Sequence, residues 1–341
     1  DMAIILTPTI PPPLSVQVFR WFRDPDLALQ FQAAAGACML MLLVFMCILA
    51  WLAAERLLAF LGRQWLATGS RGGRGFVARA ISVVSMSCIY AAVALSIMGM
   101  AIWSFAWRWR YPHVLPSAWT FDNWTHALAN LSWPVAVTLV TGVVASLIAT
   151  ALTLGCLENE QQQRLAVPHS LLLLIYLPLL VPQVGFLFGV QVLLVWVGFD
   201  GTWSALVWAH LLFVLPYVFL TLRDPYRALD ERYSRTALCL SASPTRVFWT
   251  VKIPMLLRPI LLAFSVGFAV SVAEYLPTMF AGGGRFSTLT TNAIAIASGS
   301  DRRVMGIYAL LQAALPAFFI IIALGVPAWF YRQRRALQVI Q

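Results

Sequence analysis

Polar side chains inside long apolar stretches are the first candidates for chemistry in this sequence. Glu274 falls in such a stretch near its predicted outer end, where a carboxylate would favour a cationic solute. The alternative role is an interface carboxylate that accepts hydrogen bonds from neighbouring backbone. Uncharged polar groups within other stretches could line a path or form hydrogen bonds between helices, and both roles stay open. These residues are Gln183, Gln191, His210 and Gln312.

Motifs typical of enzymes do not occur in the sequence. The four histidines are isolated from one another, and neither HExxH nor GxSxG is present. A Walker A motif needs Gly-Lys-[Ser/Thr], yet the sole lysine lies in the tripeptide Val251-Lys252-Ile253. We therefore predict a chain that is not an enzyme and that has no catalytic residues, metal ligands or cofactor of its own.

Composition indicates a membrane as the solvent for most of the chain. Hydrophobic residues make up 61% of 341 and charged residues only 11%, with a mean hydropathy of +0.81. Soluble domains carry about 25% charged residues. The net charge of +10 comes mostly from arginines between apolar runs, a pattern that favours the positive-inside rule over nucleic-acid binding. The sequence thus predicts an all-α polytopic membrane protein.

The apolar runs predict about seven transmembrane helices, because each is long enough to cross a hydrocarbon core of about 30 Å. Pro178 and Pro182 predict a kinked or broken fourth helix. Basic residues cluster on the same side of the predicted spans, which makes that side cytoplasmic and the protein a multi-pass component of a bacterial inner membrane. The predicted spans are 33–54, 80–107, 133–157, 171–197, 203–222, 259–280 and 305–331.

An internal repeat appears at an offset of 275 residues, where a polar segment leads through an aspartate into an Ala/Leu-rich span in each copy. The repeat predicts that residues 1–55 end a first half, that 56–79 form a cytoplasmic linker, and that 80–341 form a complete second half. The matched pairs are Leu14 with Leu289, Asp26 with Asp301, Ala34 with Ala309, and Leu40 with Leu315.

The segment 223–258 is too polar to span a membrane, and its spacing predicts two short helices. Tyr233, Ala237 and Leu240 recur at i, i+4 and i+7, which places them on one helical face. Ser243 is a good N-cap and is followed by Pro244, a good first helical residue. A serine-rich break at 241–243 separates the two helices, and Pro254 is expected to end the second.

Two roles fit this pair of short helices, which we call the two-helix loop (residues 223–258). It could insert into a groove on a soluble partner, or it could lie on the membrane surface with its arginines on anionic lipid. Helical periodicity alone does not separate these alternatives.

The two-helix loop resembles the EAA loop of permeases from binding-protein-dependent ABC importers. Ala237 stands at the second alanine of that motif, Ala242-Ser243-Pro244 at its turn, Phe248 at its aromatic position and Ile253-Pro254 near its end. Arg235 stands where the family has glutamate and Ser241 where it has glycine. The resemblance implies a coupling surface for an ATPase formed by Tyr233, Arg235, Ala237, Leu240, Ser241, Ala242, Ser243, Pro244, Arg246, Phe248 and Pro254.

This resemblance carries further expectations about fold and partners. It implies a MetI-like core in the last six helices, and a tandem double-permease layout similar to thiamine and ferric-iron importers. It also implies a cytoplasmic ABC ATPase, expected as a dimer, that holds ATP and Mg, together with a periplasmic substrate-binding protein and a first permease half on the same or a partner chain. The alternative is a secondary transporter with internal repeats, although such a carrier has no reason to present a two-helix loop to an ATPase.

Overall fold

The computed structural model describes residues 11–67, 69, 75–109, 113–163, 169–240, 243–297 and 301–332. Nearly all of the described chain is helical. It forms two compact units. The first comprises Asp1–Ala127, Leu180–Gly185 and Ser300–Leu310, and the second comprises Leu128–Leu179, Phe186–Gly299 and Leu311–Gln341.

The first unit is built on two long helices, α2 (Leu27–Ala67) and α3 (Phe76–Phe105), preceded by the short α1 (Leu14–Arg23). Strands β1 (Ala106–Arg108) and β2 (Ala118–Trp119) pair antiparallel after α3. The amphipathic α1 packs on α2 because one of its faces is apolar. That face buries Val16, Val18, Phe19 and Phe22.

The second unit is a bundle in which α7 (Trp203–Arg227) packs along α11 (Leu257–Ala273). Helix α4 (Asp122–Gln163) begins in the first unit and continues into the second. The remaining elements are α4 (Asp122–Gln163), α5 (His169–Leu180), α6 (Gln183–Val197), α7 (Trp203–Arg227), α8 (Glu231–Cys239), α9 (Pro244–Val247), a π-helical turn (Phe248–Lys252), α10 (Ile253–Met255), α11 (Leu257–Ala273), α12 (Leu276–Ala281), α13 (Leu289–Ala297) and α14 (Arg302–Phe330).

Helix length and composition confirm the prediction of an all-α polytopic membrane protein. Among the described residues, five helices are long and apolar enough to cross a membrane, namely α2, α3, α4, α7 and α14. The total rises to seven if two bent helix pairs each count as one span. One bent pair is α5 with α6, which meet at 104°. The break follows Pro178 and includes Pro182, as the sequence predicts.

The predicted sixth span, 259–280, is wrong at its far end. Helix α11 ends at Ala273, and Glu274 adopts an extended conformation before α12 begins at Leu276. Pro277 explains the break, because it lacks the N–H that would bond to the carbonyl of Ala273 in a continuous helix. Glu274 is therefore a C-cap residue and does not lie within a helix.

Helices α2 and α3 extend into the predicted linker. Residues 56–67 belong to α2, and residues 76–79 belong to α3. Most of the glycine-rich stretch between these helices lies outside the described residues. The division of the chain into two halves stays a prediction.

Local structure repeats at the same offset as the sequence. Helices α1 and α13 begin at the matched Leu14 and Leu289, and α2 and α14 begin 275 residues apart. Before each long helix an aspartate accepts a hydrogen bond from a backbone N–H two residues onward. The distance is 2.9 Å for Asp26 Oδ1 and 3.0 Å for Asp301 Oδ1. The two copies thus share a short helix, an aspartate cap and a long helix.

Candidate functional site

The first helix of the two-helix loop, α8, presents apolar side chains to its surroundings. Asp230 starts the helix by accepting a hydrogen bond from the Arg232 N–H at 2.9 Å. Tyr233 is 49% exposed and Leu240, just after the helix, is 79% exposed. Ala237 lies between them and is half-buried. The face predicted from the i, i+4, i+7 spacing is therefore an open apolar face.

The start of the second helix confirms the prediction from sequence. Ser243 Oγ accepts a hydrogen bond from the Arg246 N–H at 3.3 Å, and Pro244 occupies the first turn of α9. Pro244 and the Arg246 side chain are exposed. The exposed first turn of α9 thus contains Pro244 and Arg246 directly after the capping residue Ser243.

Pro254 does not end the second helix, contrary to the prediction. The backbone passes through a π-helical turn, in which the Ile253 N–H bonds to the Phe248 carbonyl, and continues as α10 to Met255. Pro254 has no N–H for the carbonyl four residues earlier. The wider π turn immediately before it lets the helix continue with Pro254 included.

The π turn also displays an aromatic residue that sequence reasoning missed. Trp249 is 63% exposed, and its ring meets that of the half-buried Phe248 edge-to-face with centroids 5.2 Å apart. The sequence does contain a signal for this residue, namely a tryptophan within a polar loop, because an exposed indole is unusual away from interfaces.

The two departures from the EAA pattern have different outcomes. Arg235 forms an ion pair with Glu231 one turn earlier on α8, and both side chains are exposed. The guanidinium is thus partly neutralised within its own helix. Ser241 and Ala242 lie outside the described residues.

A cavity of about 620 Å³ opens beside the two-helix loop, within the second unit. Its wall includes Asp230 and Tyr233 from the start of the loop, and Arg258 from the first turn of α11. Apolar side chains from α7, α11 and the end of α14 complete it. The loop therefore borders a recess large enough for a side chain from another protein.

His210 on α7 joins three helices through buried hydrogen bonds. Its Nδ1 lies 2.8 Å from Ser271 Oγ on α11, and its Nε2 lies 3.0 Å from Thr278 Oγ1 on α12. All three side chains are buried. This arrangement favours the role of interhelical hydrogen bonding for His210.

The predicted glutamines lie in different surroundings. The Gln312 side chain on α14 donates to Thr290 Oγ1 on α13 at 3.1 Å. Gln183 is the first residue of α6, directly after the break in the fourth span, and Gln191 lies two turns further along the same helix. Both are half-buried.

Glu274 is one of several buried polar groups in the second unit that have an atom without a hydrogen-bond partner among the described residues. The residue is only 7% exposed, and its Oε2 atom has no hydrogen-bond partner among the described residues. Buried polar atoms are nearly always satisfied by protein or water. The alternative of a carboxylate bonded to neighbouring backbone therefore does not account for this oxygen, and the solute-binding alternative gains support.

The described part of the chain contains no group of three or more His, Cys, Asp or Glu side chains that could hold a metal ion.

Comparison with known proteins shows similarity to membrane permeases. It is 34% identical over 340 residues to the inner membrane ABC transporter permease protein YnjC of Escherichia coli K12, an alignment that covers 99% of this chain and 60% of the relative. The chain is thus similar to an ABC transporter permease along nearly its whole length. The relative is named as an inner membrane protein, and the apolar helices of this chain agree with a multi-pass membrane protein.

Two shorter alignments also match permeases of transport systems. One is with the putative 2-aminoethylphosphonate transport system permease protein PhnV of Salmonella typhimurium, 24% identical over 235 residues, covering 68% of this chain and 84% of the relative. The other is with the spermidine/putrescine permease protein PotC of Haemophilus influenzae, 26% identical over 191 residues, covering 56% and 70%. No protein-family model matches the chain. The chain spans 60% of the length of YnjC.

Proposed function

We propose that this chain is a permease that provides the solute path of an ABC importer and couples that path to a separate ATPase through the two-helix loop. The ATPase, expected as a dimer, would hold ATP and Mg on the cytoplasmic side. A periplasmic binding protein would deliver the solute, and a first permease half would complete the path. The permease itself would carry out no catalysis.

Exposed apolar side chains on the two-helix loop are the observation that carries this proposal. Leu240 and Trp249 are 79% and 63% exposed, and the exposed Arg246 lies on α9, which leads directly into the π turn that carries Trp249. Aromatic and Arg side chains dominate the binding energy of many protein interfaces. The resemblance to the EAA loop supplies the kind of partner.

The decisive experiment measures whether the ATPase binds this loop. The full-length protein is co-expressed with an ABC ATPase from the same genome, and the complex is purified through a tag on the full-length protein. Trp249→Ala and Arg246→Glu are each expected to weaken association about 30-fold, because interface hot spots contribute about 2 kcal/mol or more. Uptake driven by ATP should fall in parallel.

The matched control is Trp196→Ala on α6. Trp196 is 87% exposed, but it lies on the side of the membrane predicted to face away from the ATPase. Association should be unchanged in this variant. Full ATPase association in both loop variants would contradict docking and would favour a loop that rests on lipid. Uptake by the permease without any ATPase would favour a secondary transporter.

Glu274 suggests the class of solute. A buried carboxylate oxygen that has no hydrogen-bond partner in the part of the chain that the structure describes would bind a cation well, and the relatives include a permease named for spermidine and putrescine. We expect Glu274→Gln to weaken uptake of a cationic probe such as putrescine about tenfold or more, since hydrogen bonds to charged groups contribute about 1.5–3 kcal/mol. Wild-type uptake kinetics in this variant would assign Glu274 a structural role.

A further inference from the structure

Lys252 is the only lysine in the chain, and its side chain is buried at the base of the two-helix loop. The side chain is 7% exposed and belongs to the last residue of the π turn. Trp249, three residues earlier on the same turn, is exposed. The turn therefore directs an aromatic ring outward and an ammonium group inward. A buried ammonium is costly unless it is paired and hydrogen-bonded.

The partners of Lys252 lie on the last turns of α4, about 90 residues away in sequence. Its Nζ donates to Glu158 Oε2 at 2.6 Å and to Gln161 Oε1 at 2.8 Å. Tyr226, near the end of α7, also donates to Glu158 Oε2, and Gln162 donates to Oε1 at 2.8 Å. Both oxygens of the carboxylate are thus occupied.

Burial distinguishes this pair from its neighbours. The side chains of Lys252 and Glu158 are 7% and 13% exposed, whereas the nearby Arg227 side chain, paired with Glu160, is 42% exposed. Removing one member of a buried pair leaves an uncompensated charge in a dry environment. Surface pairs contribute little in comparison. The Lys252–Glu158 pair therefore penalises separation of the loop from α4 more than the Arg227–Glu160 pair does, because the Arg227 guanidinium is open to water.

We propose that Lys252 and Glu158 are positioning residues whose buried ion pair fixes the two-helix loop to the end of α4. Loop and helix then move as one body. The attachment is independent of any ATPase. It follows that movement of the loop is transmitted directly to α4, a membrane-spanning helix. This consequence rests on the proposed function.

Native cysteines on both sides of the joint allow a direct test. Cys156 lies on α4 two residues before Glu158, Cys239 ends α8, and both are exposed. Spin labels are attached at these two positions in the full-length protein, after Cys38, Cys47 and Cys88 are replaced by serine. The distance between the labels is then measured by pulsed electron paramagnetic resonance in nanodiscs.

A single narrow distance distribution is expected for the parent protein. Lys252→Met and Glu158→Gln should each lose it and give a broad distribution, because the loop is no longer held to α4. The charge-swapped variant Lys252→Glu/Glu158→Lys should recover the narrow distribution, which also shows that the altered chain folds. Arg227→Gln is the matched control and should leave the distribution unchanged.

Three outcomes would overturn the proposal. The first is a narrow distribution in both single variants, and the second is equal broadening by Arg227→Gln. The third is a charge-swapped variant as broad as the single ones. Co-purification of the ATPase with the same variants separates this result from docking. Lys252→Met should retain the ATPase, and loss of ATPase binding by the parent protein would contradict the proposed function without affecting the distance result.

Discussion

The two copies of the internal repeat, which lie 275 residues apart, have the same order of elements but use glycine at different places. In the first copy, Gly36 on α2 lies against Val18 of α1, and an added Cβ would stand 2.5 Å from Val18 Cγ2. The matching residue in the second copy is Leu311. In the second copy, Gly306 on α14 lies against the backbone of α3, and its match in the first copy is Phe31, which is 81% exposed.

The position of glycine on each long helix thus determines which element can pack most closely against that helix. A residue without a side chain lets another element approach closely, so α2 accepts its own short helix and α14 accepts α3. The two short helices, α13 and α1, also differ in the polarity of their buried faces. It carries Thr290, which accepts a hydrogen bond from Gln312, whereas the face of α1 is apolar. Similar chain layouts therefore serve different packing, and exchanging residues between the copies tests this conclusion.

The largest effect is expected for Gly306→Phe, which introduces the residue of the first copy. A Cβ at this position would lie 2.8 Å from the Met100 carbonyl oxygen and 3.3 Å from the Ser104 nitrogen. Both are backbone atoms, so α3 must shift as a whole. We expect a loss of about 3 kcal/mol or more in unfolding free energy, at the upper end of overpacking effects.

Thermal unfolding in detergent, followed by circular dichroism, measures this change. Gly99→Phe is the control, because an added Cβ at Gly99 on α3 meets nothing within 4 Å. Equal stability of the two variants would contradict the close approach of α14 to α3.

A smaller effect is expected for Gly36→Leu, the exchange in the opposite direction. The obstacle here is a side chain, Val18, and overpacking of this kind costs about 1–3 kcal/mol. The second copy has Ala293 where the first has Val18, so Val18→Ala should restore stability to the Gly36→Leu variant. The same unfolding measurement tests this rescue, with Gly62→Leu on the open side of α2 as the control. A double variant no more stable than Gly36→Leu would contradict it.

Features set by neighbouring residues could be predicted from the sequence. Ser243 and Pro244 start a helix as expected, and the break at Pro182 falls in the predicted fourth span. Each depends on hydrogen bonds within one or two turns. The end of the sixth span was predicted wrongly. Apolar residues continue past Glu274, so hydropathy alone extends the span, whereas Pro277 interrupts the helix because it lacks a backbone N–H.

Features set by distant residues could not be predicted. From the sequence, Lys252 would be expected to be an exposed basic residue on the cytoplasmic side. Its burial depends on its contact with Glu158, 94 positions earlier. The bonds of His210 likewise join residues 61 and 68 positions apart. Local periodicity contains no information about such pairs. The aspartate caps of the repeat belong to the predictable group, since each acts within two residues.

The smallest effect is expected for the aspartate caps, where the copies should behave almost alike. Asp26→Ala and Asp301→Ala each remove an acceptor at the start of a long helix, which costs about 1 kcal/mol. Asp301 should contribute slightly more, because the Arg303 side chain also bonds to it.

The pH dependence of the Asp301 contribution sharpens this last comparison. Partial burial alone would raise the pKa of Asp301, but the hydrogen bonds from Arg303 hold it below its ordinary value. The stabilisation is then complete above the unfolded pKa of about 3.9 and is lost as the pH falls through the lowered folded pKa. Unfolding temperatures of parent and Asp301→Ala should therefore differ at pH 7 and converge in acid. A difference that persists below the folded pKa would mean that Asp301 stabilises α14 by packing and not by its charge.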